Sequence, residues 1–197
     1  NQYLVGTPFK KNNQKDFINV DVKEEKFQLS QIDNKTSYLR LGTFATTNVN
    51  VPIIKKFYAK VKDSINKNNL VVDLRNNGGG GFRASGEFLR LIKSYKGNVH
   101  LMVNCNTNSN AEQFVIRLMN KENVTIYGET TRGYIAYGNN RGTRPASPNN
   151  EFLFYITDMG AGKKDFELEY IGIKPDVILD PLSKDWVEQV IDKINGK

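Results

Sequence analysis

The sequence predicts an α/β fold: a mixed sheet with parallel central strands, preceded by short β segments. Three observations carry this. Residues 70–74 (Leu-Val-Val-Asp-Leu), 99–103 (Val-His-Leu-Met-Val) and 124–127 (Val-Thr-Ile-Tyr) are short apolar runs of the buried-strand type. A stretch with helical spacing lies next to each of them. Each run ends in a polar or glycine-bearing turn. A strand–helix alternation repeated in this way calls for parallel strands joined by right-handed crossovers.

The elements follow in order. Ile18, Val20 and Val22 alternate with polar residues, as do Phe27 and Leu29, which predicts two short strands. Residues 38–44 (Tyr-Leu-Arg-Leu-Gly-Thr-Phe) are a third strand candidate. Pro52 suits the first turn of a helix whose apolar face holds Ile53, Ile54, Phe57, Tyr58, Val61 and Ile65. After strand 70–74 come Arg75-Asn76-Asn77, four glycines from Gly78 to Gly81, and a helix with Phe88, Leu89, Ile92 and Tyr95 inward. Strand 99–103 leads through a polar turn, 104–108, to a helix with Ala111, Phe114, Val115 and Leu118 inward. Beyond strand 124–127 and Gly128, residues 138–150 form a polar loop with two prolines. Residues 152–156 and 166–170 read as a β-hairpin, and 176–179 as a last strand. Ser183 or Asp185 caps a final helix carrying Trp186, Val187, Val190, Ile191 and Ile194.

Composition narrows the function. The chain has 197 residues, 39% hydrophobic and 25% charged, which fits one globular domain, with or without a small appendage. No apolar run approaches the roughly 20 residues of a membrane-spanning helix. The net charge of +7 comes mostly from scattered lysines, with no basic stripe interleaved with aromatics, so nucleic-acid binding is not expected. One histidine, one cysteine and no ligand-spaced acidic cluster argue against a metal site, and no cofactor is expected. No secretory leader is read at the start, so the chain is expected to be part of a longer protein with an upstream segment or domain.

In open α/β sheets ligands collect at the carboxyl ends of the strands. Three loops leave those ends: 75–81, 104–110 and 129–134. Consecutive glycines let a backbone turn sharply and present N–H groups to an anion or oxyanion. They equally serve as a plain strand-to-helix turn. Ser109-Asn110-Ala111-Glu112 has the spacing of a capping box. A serine there would also have the helix dipole behind a developing negative charge, and the Asn110 N–H pointing at the same spot. A serine nucleophile needs a proton acceptor. The one histidine, His100, lies inside a strand and reads as a packed residue. Glu167 and Glu169 read as surface carboxylates.

Taken together these stretches are recognisable. Residues 37–41 (SYLRL), 70–80 (LVVDLRNNGGG), 107–112 (TNSNAE), 127–133 (YGETTRG) and 171–176 (IGIKPD) resemble, in order, the C-terminal processing (tail-specific) serine peptidases. That family also holds the tricorn core protease and the retinoid-binding repeats of photoreceptors. The resemblance implies a crotonase-like or Clp-protease-like spiral α/β core and peptide-bond hydrolysis through an acyl-enzyme, acting on a peptide or protein. Ser109 matches the nucleophile. Asn110 and Gly79 match the backbone oxyanion donors, with Gly80 beside them. Tyr134 stands where the tail-specific branch has its lysine base, and a phenol with an ordinary pKa of about 10 is a poor base at neutral pH. Arg132 stays protonated and cannot replace the lysine. Glu169, before the Gly-Ile-Lys-Pro-Asp motif, stands where the tricorn-like branch has a glutamate that orients a histidine. That histidine would lie upstream of residue 1. The resemblance also implies an extracytoplasmic or secreted setting.

The expected organisation is therefore a β-rich lead-in, residues 1–36, packed on a peptidase domain, residues 37–197. Two other readings stay open. One is a binding module that keeps the cleft and has lost its base. The other is an acyl-thioester enzyme on the same fold.

Overall fold

The computed structural model describes residues 26–139, 142 and 144–196. The strand expected around Ile18, Val20 and Val22 lies outside them. Six strands form one mixed sheet: β1 (Phe27–Gln31), β2 (Thr36–Leu41), β3 (Asn69–Asp73), β4 (Asn98–Val103), β5 (Val124–Gly128) and β6 (Val177–Ile178). Their spatial order is their sequence order. β1 runs antiparallel to β2, and every later neighbour pair is parallel. The parallel core predicted from three buried runs is present.

A strictly sequential order has a geometric consequence. With every parallel crossover right-handed, the chain advances one strand at a time and sets each crossover helix on the same face. Accordingly α1 (Asn50–Val61), α2 (Phe82–Ser94) and α3 (Asn110–Ile116) share one core. Side-chain alternation divides the strands between two faces. Leu70 and Val72 of β3, and Val99, Leu101 and Val103 of β4, meet Ile54, Phe88 and Phe114 of those helices. Val71, Met102 and Tyr127 point the other way, onto Trp186 and Val190 of α5 (Trp186–Ile194). Asp185 caps α5, its carboxylate accepting the Val187 N–H at 2.8 Å; of the two expected caps, Ser183 is not the one used.

Two expectations are corrected. The hairpin 152–156/166–170 does not form. Residues 163–168 are instead a short helix, α4 (Lys163–Leu168), started by the Gly162 N–H donating to Asp165 Oδ2 at 2.9 Å. Phe166, Leu168 and Tyr170 alternate, but so short a run also fits one helical turn, and the cap decides. The other half, 152–156, stays single, joined to Ala146 by one antiparallel bridge at Leu153. Its five large apolar side chains are 53–68% exposed. The second correction is Ile53, expected inward on α1 but 49% exposed. The helix begins at Asn50 and buries Val51, Ile54 and Val61, so its inward stripe passes beside Ile53; it ends at Val61, short of Ile65.

Candidate active site

The first of the three loops is anchored by a buried ionic cluster. Asp73, at the carboxyl end of β3, is fully buried and pairs with Arg75 at 2.7 Å and Arg40 at 3.2 Å. The Tyr38 hydroxyl donates to the same carboxylate at 2.8 Å. Burial pushes the Asp73 pKa upward, and the guanidiniums of Arg75 and Arg40 more than reverse it, holding the group below the ordinary carboxylate range. Burial and the Asp73 charge push the Tyr38 phenol far above its usual value, so it stays a donor. Arg75 also lies 5.7 Å from the centroid of the Trp186 ring, which ties the loop to α5.

From this anchor the backbone turns through Asn77. Its side-chain amide donates to Leu41 O at 2.7 Å, its Oδ1 accepts the Gly79 N–H at 2.9 Å, and its carbonyl accepts the Asn108 N–H at 3.0 Å. One asparagine thus stitches β2, the glycine run and the segment before Ser109. Gly79 has φ +85°, and a Cβ there would lie 2.8 Å from both the Asn110 nitrogen and Ser109 Cβ. Gly80 has φ +144°, and its Cβ would lie 1.7 Å from Phe44 O. Here glycine is required by close approach as well as by backbone angle.

The second loop is held by Asn104 and Thr107. Asn104 exchanges hydrogen bonds with Asn76 across the two loops, 2.6 and 2.9 Å. The Thr107 hydroxyl donates to Leu74 O at 3.0 Å. Ser109 follows with φ 55° and ψ −122°. A non-glycine residue in that region is strained and persists only where its surroundings fix it. The fixing group is Glu112. Fully buried, it accepts the Ser109 N–H on Oε2 at 3.0 Å. The capping box read from sequence is therefore real on its glutamate side.

Glu112 also governs the third loop. Its Oε1 accepts the Thr131 hydroxyl at 2.6 Å and the Gly133 N–H at 2.7 Å, and its Oε2 accepts the Tyr134 N–H at 3.1 Å. Further along, Glu169 Oε2 accepts the N–H groups of Ile135 and Ala136 at 2.7 and 2.6 Å. Glu169 is thus buried and braces a loop, where the bare sequence reads it as a surface carboxylate. Tyr134 itself is 51% exposed, with the Arg132 guanidinium 5.0 Å from its ring centroid.

All six candidate residues lie on these loops or at their supports. Ser109, Asn110 and Gly79 are in close contact, and Gly80 adjoins them. Tyr134 and Ser109 share one carboxylate. The donors differ in use: the Gly79 N–H is engaged by Asn77, whereas among the described residues no protein group accepts the N–H of Gly80 or Asn110. His100 lies on the sheet face away from α3, between Tyr127 OH at 3.3 Å and Asn69 Oδ1 at 3.2 Å. Burial lowers its pKa to about 4. Sequence reasoning missed the wider role of Glu112, and the whole cluster around Asp73. The Ser-x-x-Glu spacing signalled a cap, but nothing in it signalled the loop after β5. Among the described residues no group of three or more His, Cys, Asp or Glu could hold a metal ion, and no helix is long and apolar enough to cross a membrane.

No protein-family model matches the sequence, and no curated protein sequence does. Solved structures do match in fold. A lipoprotein from Streptococcus agalactiae aligns at a TM-score of 0.62 and 15% identity, over 86% of this chain and 69% of its own. A protein from Bacteroides fragilis assigned to the S41 proteases aligns at 0.60 and 16%, over 86% of this chain and 57% of its own. The photosystem II D1 C-terminal processing protease aligns at 0.50 and 24%, over 74% of this chain and 42% of its own. The chain thus spans between 42% and 69% of the length of these three proteins. The six-stranded mixed α/β architecture around Ser109 is the fold found in S41-type serine peptidases.

Proposed function

We propose that residues 37–197 are the catalytic portion of a serine peptidase with Ser109 as nucleophile, and that residues 1–36 are a lead-in to it. The observation that carries the reading is the strained backbone of Ser109, held by Glu112 and pressed against Gly79. Strain of this kind clusters at functional sites. In the proposed reaction Ser109 Oγ attacks the peptide carbonyl carbon while its proton passes to a base. The carbonyl oxygen becomes an oxyanion facing the N–H groups of Gly80 and Asn110, the two of the three candidate donors that no protein group accepts among the described residues. Collapse breaks the C–N bond, the base returns the proton to the leaving amine, and an acyl-enzyme remains. Water, deprotonated by the same base, then releases the acid and restores the serine.

The base is proposed to come from a segment upstream of this chain. His100 is buried on the far face, and Tyr134 is a phenol at the position of the family lysine. Glu169 would then act through the 135–136 backbone that it braces, with one carboxylate oxygen left for a histidine. The test is labelling of the longer protein with a fluorophosphonate, followed by peptide mapping. Modification of Ser109, lost in Ser109→Ala, supports the reading; an unlabelled protein, under conditions that label a relative, refutes it.

A second reading is a binding module that keeps the cleft without turnover. It is favoured by Tyr134, which puts no lysine amine beside Ser109. It expects peptide binding unchanged in Ser109→Ala and no cleavage by any length of the protein.

A further inference from the structure

A cavity lies between α1 and β1, the outermost strand of the sheet among the described residues. Its volume is about 630 Å³, within the range of roughly 300–1,000 Å³ typical of small-ligand sites. The floor is apolar: Phe27 and Phe57, with ring centroids 5.6 Å apart, and the exposed Ile53. Every charged residue lining it is a lysine: Lys26, Lys56 and Lys60. None of the three forms an ion pair among the described residues. The seventh lining residue, Asn50, is the first of α1, whose opening turn contains no acidic residue. The positive end of that helix dipole is thus uncompensated by its own sequence.

Three cationic side chains lining one depression repel one another, and an anion held among them offsets that repulsion. An apolar floor adds binding for a flat or aliphatic body. We propose that this cavity binds a small amphiphilic carboxylate, its head among Lys26, Lys56 and Lys60 and its apolar body on Phe27, Phe57 and Ile53. The site is independent of the peptidase reading.

The backbone beside the cavity reaches the glycine loop. The Lys26 carbonyl accepts the Gly42 N–H at 2.7 Å, and two residues on the Phe44 N–H donates to Gly79 O at 3.0 Å. The cavity rim and the glycine run are therefore joined by one short strap, 42–44.

The experiment is titration calorimetry of the protein with 2-naphthoate, and with the neutral 2-naphthalenemethanol as comparison. Sub-millimolar binding of the carboxylate is expected, at least about tenfold tighter than the alcohol, and weakened by added salt. Lys56→Glu and Lys60→Glu change exposed side chains, and together they should weaken naphthoate at least about tenfold with unchanged melting temperature. Tyr170→Ser, at an exposed tyrosine after α4 that does not line the cavity, should leave binding intact. Absence of heat at millimolar naphthoate, equal binding of the alcohol, or full binding by the double charge-reversal variant would each overturn the proposal.

Discussion

Glu112 holds Ser109 from the helix that Ser109 caps and holds Tyr134 of the neighbouring loop with the same oxygen, at 3.0 and 3.1 Å. Its other oxygen takes Thr131 and Gly133. The nucleophile candidate and the loop after β5 are thus positioned by a single buried carboxylate. Glu112→Ala leaves four donors without their acceptor and should cost about 3 kcal/mol or more. Urea melts of the variant measure this. A cost under about 0.5 kcal/mol, the range of an inert surface change, would refute the central role given to this residue.

The glycine run offers a paired test. Gly80→Ala should be severely destabilising, on the order of 4 kcal/mol or enough to prevent folding, because its Cβ would collide with Phe44 O. Gly78→Ala, where a Cβ meets nothing within 4 Å, should be neutral or stabilising by up to about 1 kcal/mol. Comparing soluble yield and melting temperature for the two checks the claim.

Asp73→Asn should destabilise by about 3–5 kcal/mol, since it leaves Arg40 and Arg75 buried without their anion. The folded-state pKa of Asp73 is depressed, so its contribution is present above the ordinary carboxylate range near 4 and is lost as pH falls through the folded value. The fall of wild-type stability with pH, followed by chemical melts, should steepen below pH 4, and that of the variant should not.

His100 acts at higher pH with the same sign. Its folded pKa is about 4 because burial disfavours the imidazolium, while the unfolded chain protonates near 6.5. Between these values the unfolded state binds more protons, so stability falls as pH falls, by up to about 3 kcal/mol across the window. In His100→Gln the slope between pH 6.5 and 4.5 should flatten. An unchanged slope would mean that the imidazole is not buried as described.

The stretch 152–156 should govern behaviour at high protein concentration. Five consecutive exposed apolar side chains, outside any named strand or helix, invite association with another chain. Leu153→Lys should raise the monomer fraction in sedimentation at high concentration with little change in melting temperature. Unaltered self-association would place the cause elsewhere.

Much of this architecture is legible in the residues. Strands β3, β4 and β5 are buried on both faces, so unbroken apolar runs announce them, and their carboxyl ends point to the three loops. The cap at Ser109 is announced by its glutamate three residues on. What escapes reading is whatever depends on a partner far along the chain. Phe166 and Leu168 fit a strand or a helical turn, and the Asp165 bond to Gly162 decides between them. Glu169 carries no sign of its burial beneath Ile135 and Ala136. Nor does a run of four glycines say which N–H is engaged: Asn77 takes that of Gly79 and leaves that of Gly80.

The one-sided winding of the sheet also sets an order of events. Helices α1 to α3 cover one face as the chain is made, while the other waits for Trp186 and Val190 of α5. Arg75, which anchors the glycine loop through Asp73, lies over the Trp186 ring. During synthesis the loops around Ser109 would therefore be complete in sequence well before they are complete in structure. A nascent chain that has not yet emerged through α5 would lack the Trp186 ring beneath Arg75, the anchor of the glycine loop.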